Sequence, residues 1–180
     1  MKEKKTLLIL SIPLLLAFAI IAYIALPWFL ILIGIQLEPN PPRPEITHGE
    51  FPFRLEYEIN GERKVIQDTL ICEFDGFGTN EARGKYRKWR ERLSSGNERI
   101  ALLKVNKTKE IFYAPGSANY YMGDLGNTEE YEPLFPNALF FEKESSGTNT
   151  GIIHADELFN KYHIRLISWD SIPPIKNNFK

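Results

Sequence analysis

The residues from Ser146 onward, SGTNTGIIHADE, carry oxygen-bearing side chains at the spacing of a calcium-binding loop. In such a twelve-residue loop, positions 1, 3 and 5 supply oxygen ligands and position 12 is a glutamate that binds through both carboxylate oxygens. Here these positions hold Ser146, Thr148, Thr150 and Glu157. Because hydroxyl groups replace the usual carboxylates, we expect Ca²⁺ affinity in the millimolar range or weaker. The alternative is a polar turn followed by a helix with Asp156 and Glu157 in its first turn.

A second candidate is a run of cations around aromatic residues in the segment 82–93. Apolar residues recur there every three or four positions, which predicts an amphipathic helix; they are Ala82, Tyr86, Trp89 and Leu93. The candidate interaction residues of this helix are Arg83, Lys85, Arg87, Lys88 and Trp89. They would suit anionic lipid headgroups or an acidic envelope polymer, with Trp89 reaching into the interface. An ordinary solvated helix face, neutralised by an acidic loop near Asp124, explains the same residues.

The third candidate lies in the long Gly-, Pro- and Asn-rich loop after Pro115, in which we expect one short helical turn. Its candidate contact residues are Tyr120, Tyr121 and Tyr131, because binding residues are concentrated on loops. Packing of the loop onto its own domain explains these tyrosines equally well.

Cys72 is the only cysteine, so an intramolecular disulfide is excluded. Its apolar neighbours predict a buried position on a strand. The histidines, His48, His154 and His163, lack the spacing of a zinc site. No catalytic residue is predicted, because the sequence contains no phosphate loop, nucleophile elbow or dinucleotide-binding glycine motif. Apart from Ca²⁺, no cofactor is predicted, and a net charge of −1 argues against a nucleic acid partner.

The first structural element that the sequence predicts is an apolar segment near the N-terminus. Residues 7–35 contain no charge, and this run exceeds the roughly 20 residues of a membrane-spanning helix but is too short for two. Pro13 and Pro27 are the expected kink positions. A cleaved signal peptide is the alternative, but its apolar region would be shorter and would end at a small-x-small site. We therefore expect an uncleaved signal anchor that contacts the lipid bilayer through residues 7–35.

The flanking charges predict the orientation of this anchor. Lys2, Lys4 and Lys5 precede it, whereas only Arg43 follows closely. Positive residues remain on the cytoplasmic side. We thus expect a single-pass cell-membrane protein with residues 1–6 in the cytoplasm, a proline-rich spacer at 36–50 and an extracytoplasmic domain at 51–180.

The pattern of this domain is typical of the α+β class. Phe53, Leu55, Tyr57 and Ile59 alternate with polar residues, as in a half-buried strand. Asn60-Gly61 then predicts a tight hairpin turn that places Glu58 opposite Arg63. A second hairpin (RIALLKV and EIFYA), further strands (ALFFE and IRLISW) and a helix (HADELFNKY) follow. Antiparallel hairpins with two short helices, not alternating with parallel strands, are therefore expected after the transmembrane helix.

The chain resembles a group of small, single-span, membrane-anchored proteins of Gram-positive bacteria. The segments that carry the resemblance are DTLICEFDGFG, GKYRKW, SGNERIALLK and IRLISW. No activity is assigned to that group, so the resemblance implies a location in the cell membrane and no functional residue.

Together these features favour a non-catalytic binding module at the cell surface, with an unidentified protein or envelope component as its partner. The rivals are a cell-envelope hydrolase with an unrecognised site and an accessory subunit of a membrane complex. A deep pocket with convergent acids or histidines would favour the hydrolase, whereas an aromatic surface beside an open sheet edge would favour the binding module.

Overall fold

The computed structural model describes residues 2–80, 84–125, 132–145 and 147–180, with side chains described from Pro13 onward. Its helices are α1 (Lys2–Leu37), α2 (Ala118–Tyr121) and α3 (Ala155–Tyr162). Its strands are β1 (His48–Ile59), β2 (Glu62–Asn80), β3 (Gly84–Leu93), β4 (Ile100–Lys104), β5 (Lys109–Tyr113), β6 (Ala138–Glu144), β7 (Gly147–Ile153) and β8 (Ile164–Ser171). The predicted α+β class, with antiparallel sheets and two short helices after a long apolar helix, is confirmed.

The chain divides into two compact units. The first unit comprises Met1–Pro41 together with Phe77–Arg87, and the second comprises Pro42–Gly76 together with Lys88–Lys180. Most of β2 and part of β3 therefore belong to the second unit, while the described residues 77–80 and 84–87 at the adjoining ends of these strands belong to the first.

Helix α1 contains a segment, Pro13–Leu37, that is long and apolar enough to cross a membrane. Its 25 residues span roughly 37 Å at 1.5 Å per residue, against about 30 Å for the hydrocarbon core of a bilayer. Both predicted kink residues, Pro13 and Pro27, lie inside the helix. No part of this apolar surface is buried by protein.

The first sheet has the strand order β3-β2-β1-β8, and all the strand pairs with a defined register in it are antiparallel. The predicted hairpin between β1 and β2 is confirmed. Asn60 and Gly61 both have positive φ, at 52° and 83°, as a type I′ turn requires. Glu58 lies opposite Arg63, as expected.

The predicted helix over residues 82–93 is wrong, because Gly84–Leu93 forms strand β3. Strand β2 precedes it and continues through the DGFG segment to Asn80. Read with a period of two, the β3 sequence places Trp89 and Leu93 on the same face as Lys85 and Arg87, whereas Lys88, Arg90 and Arg92 lie on the other face. Propensity and periodicity over ten residues are weak predictors, and pairing with the acids of β2 overrides them here. Ala82 and Arg83 lie outside the described residues.

The second sheet has the strand order β4-β5-β6-β7, and each pair is antiparallel. Its first hairpin and strand β6 agree with the sequence prediction. Strand β7, Gly147–Ile153, occupies most of the segment that suggested a calcium loop.

Two short helices complete the second unit. Helix α2 is the helical turn expected in the tyrosine-containing loop, and the Ser117 hydroxyl caps it by accepting a hydrogen bond from the Tyr120 N–H. Helix α3 is also confirmed, with Asp156 and Glu157 in its first turn. It ends at His163, which has a left-handed conformation.

One hydrophobic core joins both sheets with these two helices. Its fully buried side chains include Leu55, Cys72, Ile111, Met122, Leu158 and Ile164. Each large apolar side chain buried in this way contributes about 1.5–3 kcal/mol of transfer free energy.

The C-terminal segment pairs with the end of the predicted spacer. The backbone groups of Arg43 and Lys180 exchange hydrogen bonds of 2.8 and 3.0 Å, and the Glu45 N–H donates to the Asn178 carbonyl. The Asn177 side chain bonds the backbone of Ile46 in both directions. The second unit therefore begins at Pro42, so residues 42–50 of the predicted spacer are part of it.

Candidate functional site

The cations at the C-terminal end of strand β3 are paired with acids of strand β2. Lys88 Nζ lies 2.8 Å from Asp75 Oδ2, and Arg90 Nη2 lies 2.7 Å from Asp75 Oδ1. Arg92 Nη2 lies 3.3 Å from Glu73 Oε1. The hydrogen bond from Lys88, with smaller contributions from Arg90, lowers the pKa of Asp75. The neighbouring strand β2 thus supplies acids that neutralise this part of the basic face.

Trp89 takes part in the packing of the second unit. Its indole Nε1–H donates a 2.8 Å hydrogen bond to Asp124 Oδ2, and its ring meets Phe74 edge-on at 5.5 Å between centroids. Asp124 is only 6% exposed, and a buried carboxylate requires such donors. The half-buried Trp89 therefore has a structural role that explains its presence among charged residues.

The other described cations of the predicted set, Lys85 and Arg87, belong to the first unit. Lys85 Nζ donates a 3.1 Å hydrogen bond to the carbonyl of Gln36, in the last turn of α1. The set proposed as one interaction face is therefore divided between the two units.

Of the tyrosines predicted as contacts in the long loop, Tyr121 differs from the prediction. Tyr121 is 1% exposed, its hydroxyl donates to the Pro115 carbonyl at 2.8 Å, and its ring packs against Phe51. The prediction of Tyr121 as an exposed contact is thus wrong, because this residue is part of the core. Tyr120 is half-buried with its ring edge-on to Tyr121, and Tyr131 lies outside the described residues.

The predicted calcium loop does not have loop geometry. Thr148 and Thr150 lie on β7, paired with Lys143 and Phe141 of β6, while Glu157 lies in α3 beside Lys161. An extended strand cannot wrap its side chains around one ion, so the predicted backbone geometry is wrong. Ser146 lies outside the described residues. No three His, Cys, Asp or Glu side chains of the described chain are grouped to hold a metal ion. Ca²⁺ binding itself stays a prediction.

Asp68, one of the acidic residues that line the surface cavities, accepts hydrogen bonds in a turn. It accepts hydrogen bonds from the hydroxyls of Ser94 and Ser95, at 2.6 and 2.5 Å, and from the Thr69 N–H at 2.7 Å. Burial tends to raise the pKa of Asp68, but these hydrogen bonds together lower it. This carboxylate is thus held ionised as a structural acceptor, which does not suit a general acid.

The second sheet presents an apolar outer face, which we define by Ala101, Phe112, Leu139, Phe141 and Ile152. Cross-strand pairing places Ala101 beside Phe112, Phe112 beside Leu139, and Leu139 beside Ile152. This row crosses all four strands, and its members are half-buried or exposed. Ile152 is 50% exposed. The core is formed by the opposite face of the same sheet, through residues such as Ile111.

A cation lies on the aromatic part of this outer face. The guanidinium of Arg99 is 4.2 Å from the ring centroid of Phe141 and 5.0 Å from that of Phe112. These distances are within the range of cation–π attraction. Arg99 therefore gives the outer face a positively charged side next to its aliphatic row.

A small cavity of about 240 Å³ adjoins the aliphatic end of the outer face. Its apolar lining consists of Ala114, Leu134, Leu139 and Ile152, and its polar lining includes Glu91 and Ser117. Ligand pockets usually measure about 300–1,000 Å³, so this cavity is better suited to one side chain than to a whole small molecule.

Glu91 supplies the charge at this cavity. Although part of the side chain is exposed, the protein packed around its carboxyl raises the pKa of Glu91, and the hydrogen bond from the Ala118 N–H acts in the opposite direction. That hydrogen bond measures 2.7 Å. The cavity thus combines an aliphatic wall with a fixed hydrogen-bond acceptor.

Strand β7 forms an uncharged edge beside the outer face. Among the described strands, the other sheet edges are β3, β4 and β8. Strand β3 carries several cations, β4 has a register shift and ends in Lys104, and β8 contains Arg165 and Asp170. Charges and bulges of this kind block unwanted strand pairing. Strand β7, GTNTGII, contains neither a charged residue nor a proline.

The sequence reasoning did not identify the outer face or the β7 edge. A usable signal exists in the consecutive apolar residues of IFY, ALFF and GII. Because successive side chains of a strand point to opposite faces, such runs indicate strands with apolar residues on both faces. Only one of the two faces can be filled by the core of a two-layer domain.

The three comparisons with known proteins give no positive result. No protein-family model, no curated protein and no solved structure matches the chain.

Proposed function

We propose that this chain is a non-catalytic binding module, anchored in a cell membrane by α1, whose second unit binds an extended segment of a protein partner along β7. The observation that carries the proposal is the uncharged edge of β7 beside the apolar outer face. Unpaired N–H and C=O groups at a sheet edge accept another strand, and the adjacent surfaces select its side chains.

The anchor is supported by the apolar length of α1 and by the exposure of its side chains. Residues on all its sides are exposed, including Tyr23 at 83% and Trp28 at 58%. A helix that is apolar all round and uncovered by protein suits a lipid environment. The lysines before α1 favour a cytoplasmic N-terminus and an extracytoplasmic second unit, which also agrees with the resemblance to single-span proteins of Gram-positive bacteria.

The outer face would give the interaction its specificity. A strand added to β7 lies about 4.8 Å from it, and alternate side chains of that strand point toward the side occupied by Ile152 and Leu139. One apolar side chain would enter the 240 Å³ cavity, where Glu91 provides an acceptor for a donor group at its rim. We therefore expect partner segments in which apolar residues alternate with polar ones.

The test uses the full chain in detergent micelles and a phage-displayed library of random peptides. Selected peptides are synthesised, and their affinities for the wild type and for Ile152→Lys are measured. Since Ile152 belongs to both the edge strand and the cavity wall, its replacement by a charged residue should weaken binding by about tenfold or more. Hydrogen exchange should show slower exchange of β7 amides in the complex.

Val65→Lys is the matched control, because Val65 is 46% exposed and Ile152 is 50% exposed, but Val65 lies on the inner strand β2 of the other sheet. This variant should bind the peptides as the wild type does. Peptides that bind both variants equally, or exchange that slows only outside β7, would contradict the proposal. A dimer of the chain itself that Ile152→Lys dissociates would replace the proposed protein partner with a second copy.

A further inference from the structure

We propose that the end of the β2–β3 hairpin, represented by Phe77, Thr79, Lys85, Tyr86 and Arg87, is a second membrane-contacting element that binds anionic phospholipid headgroups. This inference rests on the proposed membrane anchoring by α1 and is independent of strand addition at β7. It concerns only the first unit, in which these residues and α1 occur together.

The position of Lys85 carries the argument. The apolar run of the sequence ends at Ile35, so Gln36 is its first strongly polar neighbour. Lys85 Nζ donates a 3.1 Å hydrogen bond to the Gln36 carbonyl. If α1 spans a bilayer, this carbonyl lies where hydrocarbon gives way to headgroups, and the Lys85 ammonium lies there with it.

A second contact brings the hairpin backbone to the same place. A Cβ atom added to Gly84 would be 2.6 Å from Glu38 Oε2, so the backbone of Gly84 lies directly against the Glu38 carboxylate. Gly84 has a φ of +68°, which other residues rarely adopt. The hairpin is thus shaped to approach the first charged residue after α1.

The side chains of the hairpin end suit an interfacial environment. Phe77 is 37% exposed, and Tyr86 covers Gly78, where an added Cβ would meet its ring at 2.5 Å. Lys85 and Arg87 add two positive charges. Aromatic and basic side chains together are typical of surfaces that enter the headgroup region of membranes.

The charge distribution favours lipid over simple capping of the helix. A cation near the C-terminus of a helix is favourable by itself, and one lysine is enough for that role. Arg87 and the exposed aromatic ring of Phe77 are not needed for capping, but both increase binding to an anionic membrane. Each basic residue near such a surface increases its occupancy by about fivefold.

The test uses the full chain reconstituted into vesicles of phosphatidylcholine, with or without phosphatidylglycerol. Cys72 is buried, so a thiol-reactive fluorophore labels an introduced cysteine selectively. The positions are Phe77→Cys and Thr79→Cys in the hairpin, Tyr23→Cys in α1, and Val65→Cys as a surface control. Quenching by lipids with a nitroxide on the headgroup or within the acyl chain then reports the location of each label.

We expect headgroup nitroxides to quench labels at 77 and 79 at least about threefold more than at 65, with the excess increasing when anionic lipid is present. The label at position 23 should be quenched by acyl-chain nitroxides. Labels at 77 and 79 that behave like the one at 65, while position 23 is quenched, would overturn the hairpin inference and leave the anchor intact. If position 23 is not quenched, membrane anchoring itself fails.

A charge comparison separates lipid binding from folding. Lys85→Gln with Arg87→Gln should remove the dependence of hairpin quenching on anionic lipid. Lys88→Gln with Arg90→Gln should retain it, because those cations belong to the second unit, away from the hairpin end that the proposal assigns to the headgroups. An equal effect of the two double variants would overturn the assignment to Lys85 and Arg87.

Discussion

Among the single residues, Cys72 illustrates how burial determines chemical behaviour. Its side chain has no exposed surface, as the apolar sequence around it predicts. Burial, with a smaller contribution from the Glu91 carboxylate, raises the pKa of the Cys72 thiol to about 12. Because the thiolate is the reactive form of cysteine, this residue contributes packing and is not a nucleophile at neutral pH.

The raised pKa of Cys72 predicts a loss of stability at alkaline pH. Above pH 9.0, the reference pKa of a free thiol, the unfolded chain releases a proton that the folded chain retains. The free energy of unfolding should therefore decrease as the pH rises from about 9 toward 12. Between pH 8 and pH 10, the wild type should lose about 1.4 kcal/mol more than Cys72→Ala.

Urea unfolding at these two pH values, followed by tryptophan fluorescence, measures this difference. The free energy of unfolding at pH 8 is subtracted from that at pH 10 for each protein separately. The loss of packing caused by the substitution is present at both pH values and therefore cancels. Tyr57, Tyr113 and Tyr121, whose pKa values are also raised by burial, add to the decrease only above about pH 10. Identical slopes for the two proteins would contradict the assignment to Cys72.

Among the elements, the C-terminal segment around Ile175 packs closely against the end of α2 and against Gly123, two residues after this helix. The Ile175 N–H donates to the Tyr121 carbonyl at 2.9 Å. An added Cβ at Gly123 would lie only 2.4 Å from the Ile175 carbonyl oxygen, and Gly123 has a φ of +65°. Any side chain at Gly123 would therefore displace backbone that is already hydrogen-bonded.

Gly123→Ala should lower the free energy of unfolding by about 2–4 kcal/mol, combining an unfavourable φ with overpacking. Gly96→Ala is the matched control, because Gly96 has a φ of +78° but nothing within 4 Å of an added Cβ. Gly96→Ala should lower the free energy of unfolding by about 1 kcal/mol. Chemical denaturation of both variants checks the difference, and equal losses would mean that the Ile175 contact is not limiting.

The elements also show where sequence reasoning succeeds. The β1–β2 hairpin was predictable because its alternating strand and Asn60-Gly61 turn are encoded by adjacent residues. The helix predicted over residues 82–93 was wrong although the apolar residues have helical spacing, because such spacing over a short segment does not by itself fix the conformation. The strand conformation depends on pairing with β2, which brings Glu73 and Asp75 against the cations of β3.

For the whole molecule, the lysines before α1 predict which side of a membrane each end would occupy with α1 as the proposed anchor. Lys107→Cys places a thiol in the exposed β4–β5 turn, and Lys4→Cys places one before the apolar run. With a membrane-impermeant maleimide applied to intact bacterial cells, position 107 should be labelled at once. Position 4 should be labelled only after permeabilisation, because positive residues stay on the cytoplasmic side.

The control is the full-length chain without either substitution, which measures labelling of Cys72. Cys72 should remain unlabelled in the folded protein because it is buried. Labelling of position 4, but not of position 107, in intact cells would show the opposite orientation. Equal labelling of both positions would indicate that α1 does not separate them across a bilayer.

The sequence alone determined the features that depend on neighbouring residues: the apolar length of α1, the alternation and turn of the first hairpin, the buried strand position of Cys72, and helix α3. Tertiary structure decided the features that depend on partners distant in the chain. These include the strand conformation of β3, the burial of Tyr121, the division of the basic residues between two units, and the exposure of the β7 edge. The physical reason is that local patterns specify which face of a segment is apolar, whereas the remaining elements determine whether that face is covered.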